Sequence, residues 1–410
     1  MSSKFLYFFK EITVRRILLV IGQIWALPLL IIILVIRPII IIRIGVLYSE
    51  YFGHYTGNVE LYLCERDATI NRLDKKYIDV WFNLTKVVSN KQIEKMWKQH
   101  LIILPWLLLA PVSRLISWSP WGLTHQIEPK FHDRDVLNLL GTQEPHANFS
   151  VEEETMGQGV LLEMGIPKMA KFVCLNVRDT AFHRKLDFTN YRNADVNQYM
   201  LAATELTKYG VYVVRVGKSV EKEFKSSNPK IIDYSRSEYR SDFMDVYLGA
   251  KCFFAISTSS GWDNVPGMLF RRPVVFTNMT PISQVQSWSE KALAIFKRYK
   301  LSNQEQFLSQ TEIFNMVDKV FKSSAPPFED LKLELVDNTP QEIFDVVLEM
   351  YDMLTRGVSA GSEEYERCLQ SNFWTLYKDN LERNNLQYLH GKINLKIGAK
   401  FLLTAPEFLL

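Results

Sequence analysis

The chain has 410 residues, enough for two α/β domains, because a single hydrophobic core seldom grows beyond about 250 residues. Its 48 Lys and Arg residues nearly balance 45 Asp and Glu, which argues against a general nucleic-acid binder with a concentrated basic excess. The four cysteines share no close spacing, so the sequence predicts neither a disulfide framework nor a zinc site.

An uncharged apolar run, Ile17 to Ile36, lies near the amino terminus. Its 20 residues are the length that crosses a hydrocarbon core. Basic residues flank it on both sides: Lys4, Lys10, Arg15, Arg16, Arg37 and Arg43. We therefore predict that residues 1–37 anchor the chain to a membrane. Pro28 leaves an in-plane or kinked helix open beside a straight span, and a buried core helix is the third interpretation.

A second apolar stretch runs from Leu101 to Leu123 and is interrupted by three prolines and Arg114. Three tryptophans and sparse charge are typical of a segment that dips into a membrane interface. Packing in the core of the first domain is the alternative, and the sequence favours neither.

In residues 38–165, short apolar runs alternate with helical patterns. The pattern predicts strands at Ile39–Ile44, Lys76–Asn83 and Leu101–Leu104, and helices at Val59–Arg66, Lys91–Gln99 and Val151–Met164. Such alternation predicts a parallel sheet with right-handed crossovers.

Two polar features of this first domain are candidates for chemistry. Gly53 and His54 are predicted in a turn after the first strand, where the imidazole is suited to act as a general base; a structural histidine is the alternative. The segment His132–Asp135 offers an Asp-x-Asp pattern. No apolar strand runs into it, so we predict a solvated loop and no metal site.

A second alternating series occupies residues 166–345. Strands are predicted at Lys171–Val177, Val211–Gly217, Lys230–Ser235, Cys252–Ile256 and Pro273–Phe276, and helices at Val196–Lys208 and Asp242–Leu248. Residues 346–410 are predicted to be helical. The expected fold is α/β, with two Rossmann-like domains facing a cleft, a membrane helix at the amino terminus and a helical carboxyl-terminal region.

The stretch Ser257 to Gly261 (STSSG) follows one predicted buried strand of the second series. In a parallel sheet this turn would lie at the carboxyl end of its strand and open the next helix, where backbone N–H groups face an anion. We therefore predict a phosphate-bearing ligand. An ordinary strand-to-helix turn with an N-cap is the alternative.

Other loops of the second series would end at the same edge of the sheet. We predict that Arg178 and Asp179 are catalytic, and that cations and hydroxyls beside them hold a diphosphate. Asp233 suits ribose hydroxyls and Tyr234 a stacked base. The residues predicted to bind this ligand are Arg192, Asn193, Arg215, Gly217, Lys218, Asp233, Tyr234, Thr258, Ser259, Ser260 and Gly261. A surface ion pair at Arg178–Asp179 and a strand-end arginine at Arg215 are the alternatives.

The order of these segments resembles a family of bacterial glycosyltransferases from surface-polysaccharide (O-antigen and capsule) gene clusters. The similar segments are IIIIRIGVLYSEYFGH, VCLNVRD, YRNADVNQYMLAATELTKYGVYVVRVGK, Asp242 to Ala255, STSSGW and RRPVVFTN. Several of the site residues also resemble the donor sites of fucosyltransferase-like GT-B enzymes. Their loop usually opens with His-x-Arg, whereas this chain has Asn176-Val177-Arg178. That departure leaves the donor sugar open.

The resemblance implies a GT-B architecture, a nucleotide-sugar donor held mainly by the second domain, and no metal or other cofactor. The expected activity is sugar transfer to a saccharide acceptor, lipid-linked in this interpretation, at the cytoplasmic side of the bacterial inner membrane. Two alternatives are a membrane-anchored scaffold without turnover and a GT-B-like nucleotide-sugar epimerase or hydrolase.

Overall fold

The computed structural model describes residues 22–120, 122–127, 134–181, 187–285, 289, 291–318, 328, 331–357, 363–386 and 393–410. By its internal contacts the chain divides into two compact units, Met1–Asp133 and Arg134–Leu410. The sequence-based domain boundary at residue 165 lies within the second unit. The first part of the predicted membrane anchor, residues 1–21, lies outside the described residues.

The first unit contains a four-stranded sheet. Its elements are α1 (residues 22–36), β1 (Ile41–Leu47), α2 (Phe52–Asp67), β2 (Tyr77–Asn83), α3 (Lys91–Trp97), β3 (Ile102–Ile103), α4 (Trp106–Ser117), α5 (Gly122–His125) and β4 (Gln126–Ile127). The strand order is β3-β2-β1-β4, and every neighbouring pair is parallel. The predicted parallel α/β arrangement of this region is confirmed.

Helices α1 and α4 pack on this sheet through apolar residues. Ala26 and Ile33 of α1 share a core cluster with Ile44 of β1 and with Val112 and Ile116 of α4. One face of each predicted apolar segment is therefore core. Among the residues that the structure describes, no helix combines the length and apolar character needed to cross a membrane.

The prediction of a turn at Gly53 and His54 is wrong, because both residues lie in the first turn of α2. The Thr56 hydroxyl donates to the carbonyls of Phe52 and Gly53 at 2.8 and 2.9 Å, inside the helix. Burial of the segment from Tyr55 to Cys64 stabilises a helix that its two glycines disfavour.

The second unit is built on a seven-stranded sheet. Its strands are β5 (Phe172–Asn176), β6 (Tyr212–Val216), β7 (Ile231–Asp233), β8 (Ala255–Ser257), β9 (Val274–Met279), β10 (Ala292–Phe296) and β13 (Lys396–Ile397). A separate antiparallel pair is formed by β11 (Arg298–Leu301) and β12 (Leu333–Val336). The helices are α6 (Val151–Glu163), α7 (Met200–Lys208), α8 (Asp242–Lys251), α9 (Gln310–Ile313), α10 (Pro340–Arg356), α11 (Glu364–Arg383) and α12 (Ala399–Thr404).

The order of the large sheet is β13-β10-β9-β8-β5-β6-β7, and every neighbouring pair is parallel. Numbered along the chain from β5, the strands from β7 to β10 follow the order 3-2-1-4-5-6 of a Rossmann fold. The direction in which the chain progresses across the sheet therefore reverses between β5 and β8. The predicted Rossmann-like sheet of this region is confirmed.

Two details of the second unit differ from the sequence-based expectation. The segment between β8 and β9 contains a short π-helix, Val265–Leu269, where a longer crossover helix was expected. The strand predicted from Cys252 starts only at Ala255, because Cys252 is the C-cap of α8. In addition, the predicted helical region 346–410 contributes β13, which pairs with β10 at the edge of the sheet.

Two glycines of α6 provide a matched test of packing in the second unit. A Cβ added at Gly157 would lie 2.4 Å from the ring of buried Tyr247, whereas a Cβ at Gly159 meets nothing within 4 Å. We expect Gly157→Ala to lower the free energy of unfolding by about 1–3 kcal/mol through overpacking. Gly159→Ala should raise it by roughly 0.5–1 kcal/mol, because alanine favours the helix. Urea unfolding of both variants measures the difference, and equal effects would contradict the described packing.

Candidate functional site

The candidate site lies where the sheet order of the second unit reverses. Strands β5 and β8 are parallel neighbours, and Asn176 is paired with Ser257 at their carboxyl ends. Right-handed crossovers from these two strands in opposite directions across the sheet would run on opposite sides of it. Such a switch point is where open α/β sheets bind ligands.

The turn after β8 is held by a buried carboxylate that the sequence analysis did not single out. Asp263 Oδ2 accepts hydrogen bonds from Ser257 Oγ at 2.9 Å and from the Ser260 N–H at 2.8 Å. Ser259, between them, adopts a left-handed backbone with φ of 59°. Among the described residues no partner lies within hydrogen-bond reach of its buried hydroxyl. The turn is thus fixed by the Asp263 carboxylate, with Ser259 held in a left-handed backbone.

Three hydrogen bonds join this turn to the loop after β5. The Arg178 N–H donates to Thr258 Oγ1 at 3.0 Å, and Ser260 Oγ donates to Asn176 Oδ1 at 2.5 Å. The Thr258 N–H donates to the Asn176 carbonyl at 3.2 Å. Asn176 therefore locks the two loops together, a role that the sequence analysis did not assign to it.

Two predicted cationic residues influence each other after β5. The pKa of the Arg178 guanidinium is lowered to about 10, mainly by burial and also by the nearby charge of Arg192. The Ala194 N–H donates to the Arg178 carbonyl at 3.0 Å, which holds the loop that carries Arg192 against the end of β5. Two guanidinium groups near the end of a parallel strand are suited to bind phosphate.

The loop carrying Arg192 is also fixed from a second direction. Lys297, directly after β10, is almost completely buried. Its Nζ donates to the Asn193 carbonyl at 2.7 Å and lies 2.7 Å from an Asp337 carboxylate oxygen. Burial lowers the pKa of Lys297 even though Asp337 opposes the shift. The predicted residue Asn193 thus contributes its backbone oxygen here. A lysine directly after an apolar strand was the available sequence signal.

Three of the predicted site residues form an ion-pair cluster in the interior. Arg215 is 0% exposed, and its guanidinium lies 3.6 Å from Asp179 and 3.2 Å from Asp233. It also donates to the Lys222 carbonyl at 2.5 Å. Because Arg215 is fully enclosed by protein groups, its position does not support the predicted direct contact with a diphosphate.

The two carboxylates of this cluster also accept hydrogen bonds from backbone N–H groups. Asp179 accepts from the N–H groups of Ala181 and Glu221 at 3.0 and 2.7 Å, and Asp233 accepts from the Phe224 N–H at 2.9 Å. These bonds tie together the loops after β5, β6 and β7. The geometry therefore gives Asp179 and Asp233 a structural role and does not support proton transfer by the former or ribose binding by the latter.

Tyr234 is completely buried, and its hydroxyl donates to Asp245 at 3.0 Å. The expectation that it stacks on a base is wrong, because its ring is enclosed. Gly217 has φ of 153°, a backbone that L side chains rarely adopt. Lys218 is exposed and lies 4.0 Å from Asp242. Gly217 and Lys218 directly follow β6. They therefore lie on a different loop from the two that Asn176 joins.

Two further predictions concern one polar residue of the first unit and one of the second. His54, in the first unit, is half-buried, with its ring centroid 6.1 Å from those of Tyr48 and Tyr51. Its role as a base stays a prediction. Asp135, in the second unit, is buried and accepts from the N–H groups of Leu139 and Leu140, so the prediction of a solvated loop is wrong there. Residues 132–133 lie outside the described ranges.

Solved structures offer distant likenesses. E. coli ADP-heptose LPS heptosyltransferase II is 12% identical, with a TM-score of 0.42 over 77% of this chain and 99% of that one. A family 9 glycosyl transferase from Veillonella parvula is 11% identical, with a TM-score of 0.43 over 77% and 98%. Because both scores lie below 0.5, neither likeness carries an argument here. No family model matches the chain, and no curated protein matches it either.

The interior cluster and an exposed ion pair allow a direct comparison of stability. Arg215→Met should lower the free energy of unfolding by about 3–5 kcal/mol, because Asp179 and Asp233 would lose their buried countercharge. Lys208→Met removes an exposed partner of Glu205 and should cost no more than about 1 kcal/mol. Chemical unfolding of both variants checks this, and a wild-type midpoint for Arg215→Met would refute the structural role.

Proposed function

We propose that the chain is a glycosyltransferase that uses a nucleoside-diphosphate sugar. The observation that carries the proposal is the pair Arg178 and Arg192 beside the rigid turn at residues 257–261, at the switch point of a Rossmann-type sheet. The short π-helix after this turn supplies little helix dipole. Recognition of the diphosphate therefore depends mainly on the two guanidinium groups.

The proposed reaction uses these groups to stabilise a leaving group. The bond between the sugar anomeric carbon and the diphosphate oxygen breaks, and an acceptor hydroxyl oxygen bonds to that carbon. Negative charge grows on the departing diphosphate, where Arg178 and Arg192 meet it. The acceptor proton passes to a general base. In this proposal two guanidinium groups do what a divalent metal does in other transferases.

The two-unit architecture and the sequence resemblance carry the finer assignments. Two units, each with its own parallel sheet, support a GT-B arrangement. The segments that resemble surface-polysaccharide glycosyltransferases support a saccharide acceptor, which we propose to be lipid-linked, in O-antigen or capsule synthesis. We further propose that the enzyme acts at the cytoplasmic face of the bacterial inner membrane, where nucleotide sugars are made.

Removing either guanidinium should weaken diphosphate binding without harming the fold. Arg178→Gln and Arg192→Gln should each raise the Kd for nucleoside diphosphates by roughly 10–100-fold, since a charge-assisted hydrogen bond contributes about 1.5–3 kcal/mol. The pKa of Arg178 is lowered to about 10, below the ordinary value of an arginine, so its charged form opposes folding throughout the neutral range. Arg178→Gln should therefore leave the unfolding midpoint unchanged or raise it. Titration calorimetry and thermal unfolding measure the two effects.

Lys208→Gln, on the exposed surface of α7, is the control and should bind like the wild type. The test uses a panel of nucleoside diphosphates, because the base is open. Unchanged affinity in both arginine variants would refute the site. A folded wild-type chain that binds no member of the panel would refute the transferase and favour the scaffold.

A further inference from the structure

The helix α1 has an apolar face that the fold leaves exposed. Ile24 and Val35 are 73% and 70% exposed, which is unusual for isoleucine and valine in a folded protein. They belong to one stripe with a spacing of three or four residues, which places its members on the same side of the helix. The members of this stripe are Ile24, Leu27, Pro28, Ile31 and Val35.

The opposite face of the same helix is part of the protein core. Gly22, Ala26 and Ile33 are buried, and the last two pack against the sheet of the first unit. A surface helix normally carries polar residues on its outer side. In α1 neither face is polar: one side packs on the core, and the other is an exposed apolar surface.

A second helix extends this exposed surface. Helix α4 packs on the same core as α1, and a Cβ at Gly22 would lie 2.6 Å from Pro111 of α4. The outward sides of two helices that cover the same core lie next to each other. Exposed apolar residues on α4 and just beyond it are Leu107, Leu108, Trp118 and Leu123. We call these residues and the α1 stripe the apolar face of the first unit.

The sequence segments that contribute the apolar face are poor in acidic residues. No Asp or Glu occurs in residues 17–41 or in residues 101–127. Arg114 is exposed, and its guanidinium carbon lies 5.0 Å from the ring centroid of Trp118, an arrangement that suits a lipid–water boundary. Residues 1–16 of the sequence add four basic residues against one acidic. An apolar surface bordered by tryptophan and basic residues is complementary to an anionic bilayer.

We propose that the apolar face of the first unit inserts into one leaflet of an anionic membrane, with α1 lying along the surface. An orientation across the bilayer would expose both sides of α1 to lipid and withdraw Ala26 and Ile33 from the core. The sequence alone is compatible with an in-plane helix and with a spanning one. The packing of α1 on the core favours the in-plane orientation. This inference does not depend on the donor site or on the proposed reaction.

Flotation of the full chain with vesicles tests the proposal. The probe is vesicles of phosphatidylcholine with phosphatidylglycerol, beside vesicles of phosphatidylcholine alone. Wild-type protein should float with the anionic vesicles and less with the neutral ones. The double variant Ile31→Glu with Val35→Glu should reduce the partition coefficient at least about tenfold, because two charges enter the apolar stripe. Both side chains already face outward, so thermal unfolding should be unaffected.

Leu162→Glu is the matched control, since this leucine of α6 is exposed but lies in the second unit. It should float like the wild type. The proposal is overturned if wild-type protein fails to float, or if the double variant floats equally well. It is also overturned if the wild type is a dimer in solution that the double variant converts to a monomer, because a second copy would then cover the face.

Depth measurements separate an in-plane helix from a crossing one. Single labels at Ile24→Cys and Val35→Cys, with Cys368→Ser to remove the exposed thiol, are about 16 Å apart along the helix axis. Quenching by lipids brominated at different depths should place both labels at the same shallow level. Depths that differ by more than about 10 Å would overturn the in-plane orientation.

Discussion

The parallel pairing of β5 with β8 is the constraint on which the candidate site depends. It brings two loops together at one point of the sheet edge although 80 residues separate Arg178 from Thr258 in sequence. Asn176 and Asp263 then convert this proximity into a fixed geometry, because each accepts hydrogen bonds from the turn after β8. With the backbone held in this way, a phosphate meets groups that need little reorganisation.

Arginine side chains have two different roles at the edge of this sheet. Arg215 is enclosed by Asp179 and Asp233, and that cluster fixes the loops at the β6 and β7 side. Arg178 and Arg192 instead approach each other, and burial disfavours the charge of the former. A folded chain tolerates an unfavourable pair of this kind where function requires it. The contrast explains why we assign stability to one arginine and ligand binding to the other two.

Strands were predictable from sequence where apolar runs are bounded by turn residues, as at Phe172–Asn176 and Tyr212–Val216. The location of the STSSG turn at a strand end followed from the same pattern. The burial of Arg215 and Tyr234 was not predictable, because it depends on Asp233 and Asp245, which only the fold brings within reach. For the same reason Lys297 was missed, since its partners Asn193 and Asp337 are distant in sequence.

Backbone hydrogen exchange with and without a nucleoside-diphosphate sugar tests the central claim most directly, because it reports where on the chain the ligand binds. The account predicts that ligand slows exchange in residues 257–263 and at Arg178, which the described hydrogen bonds place side by side. Unchanged exchange in both segments, together with slower exchange at another part of the sheet edge, would contradict this assignment of the site, whatever affinity is measured.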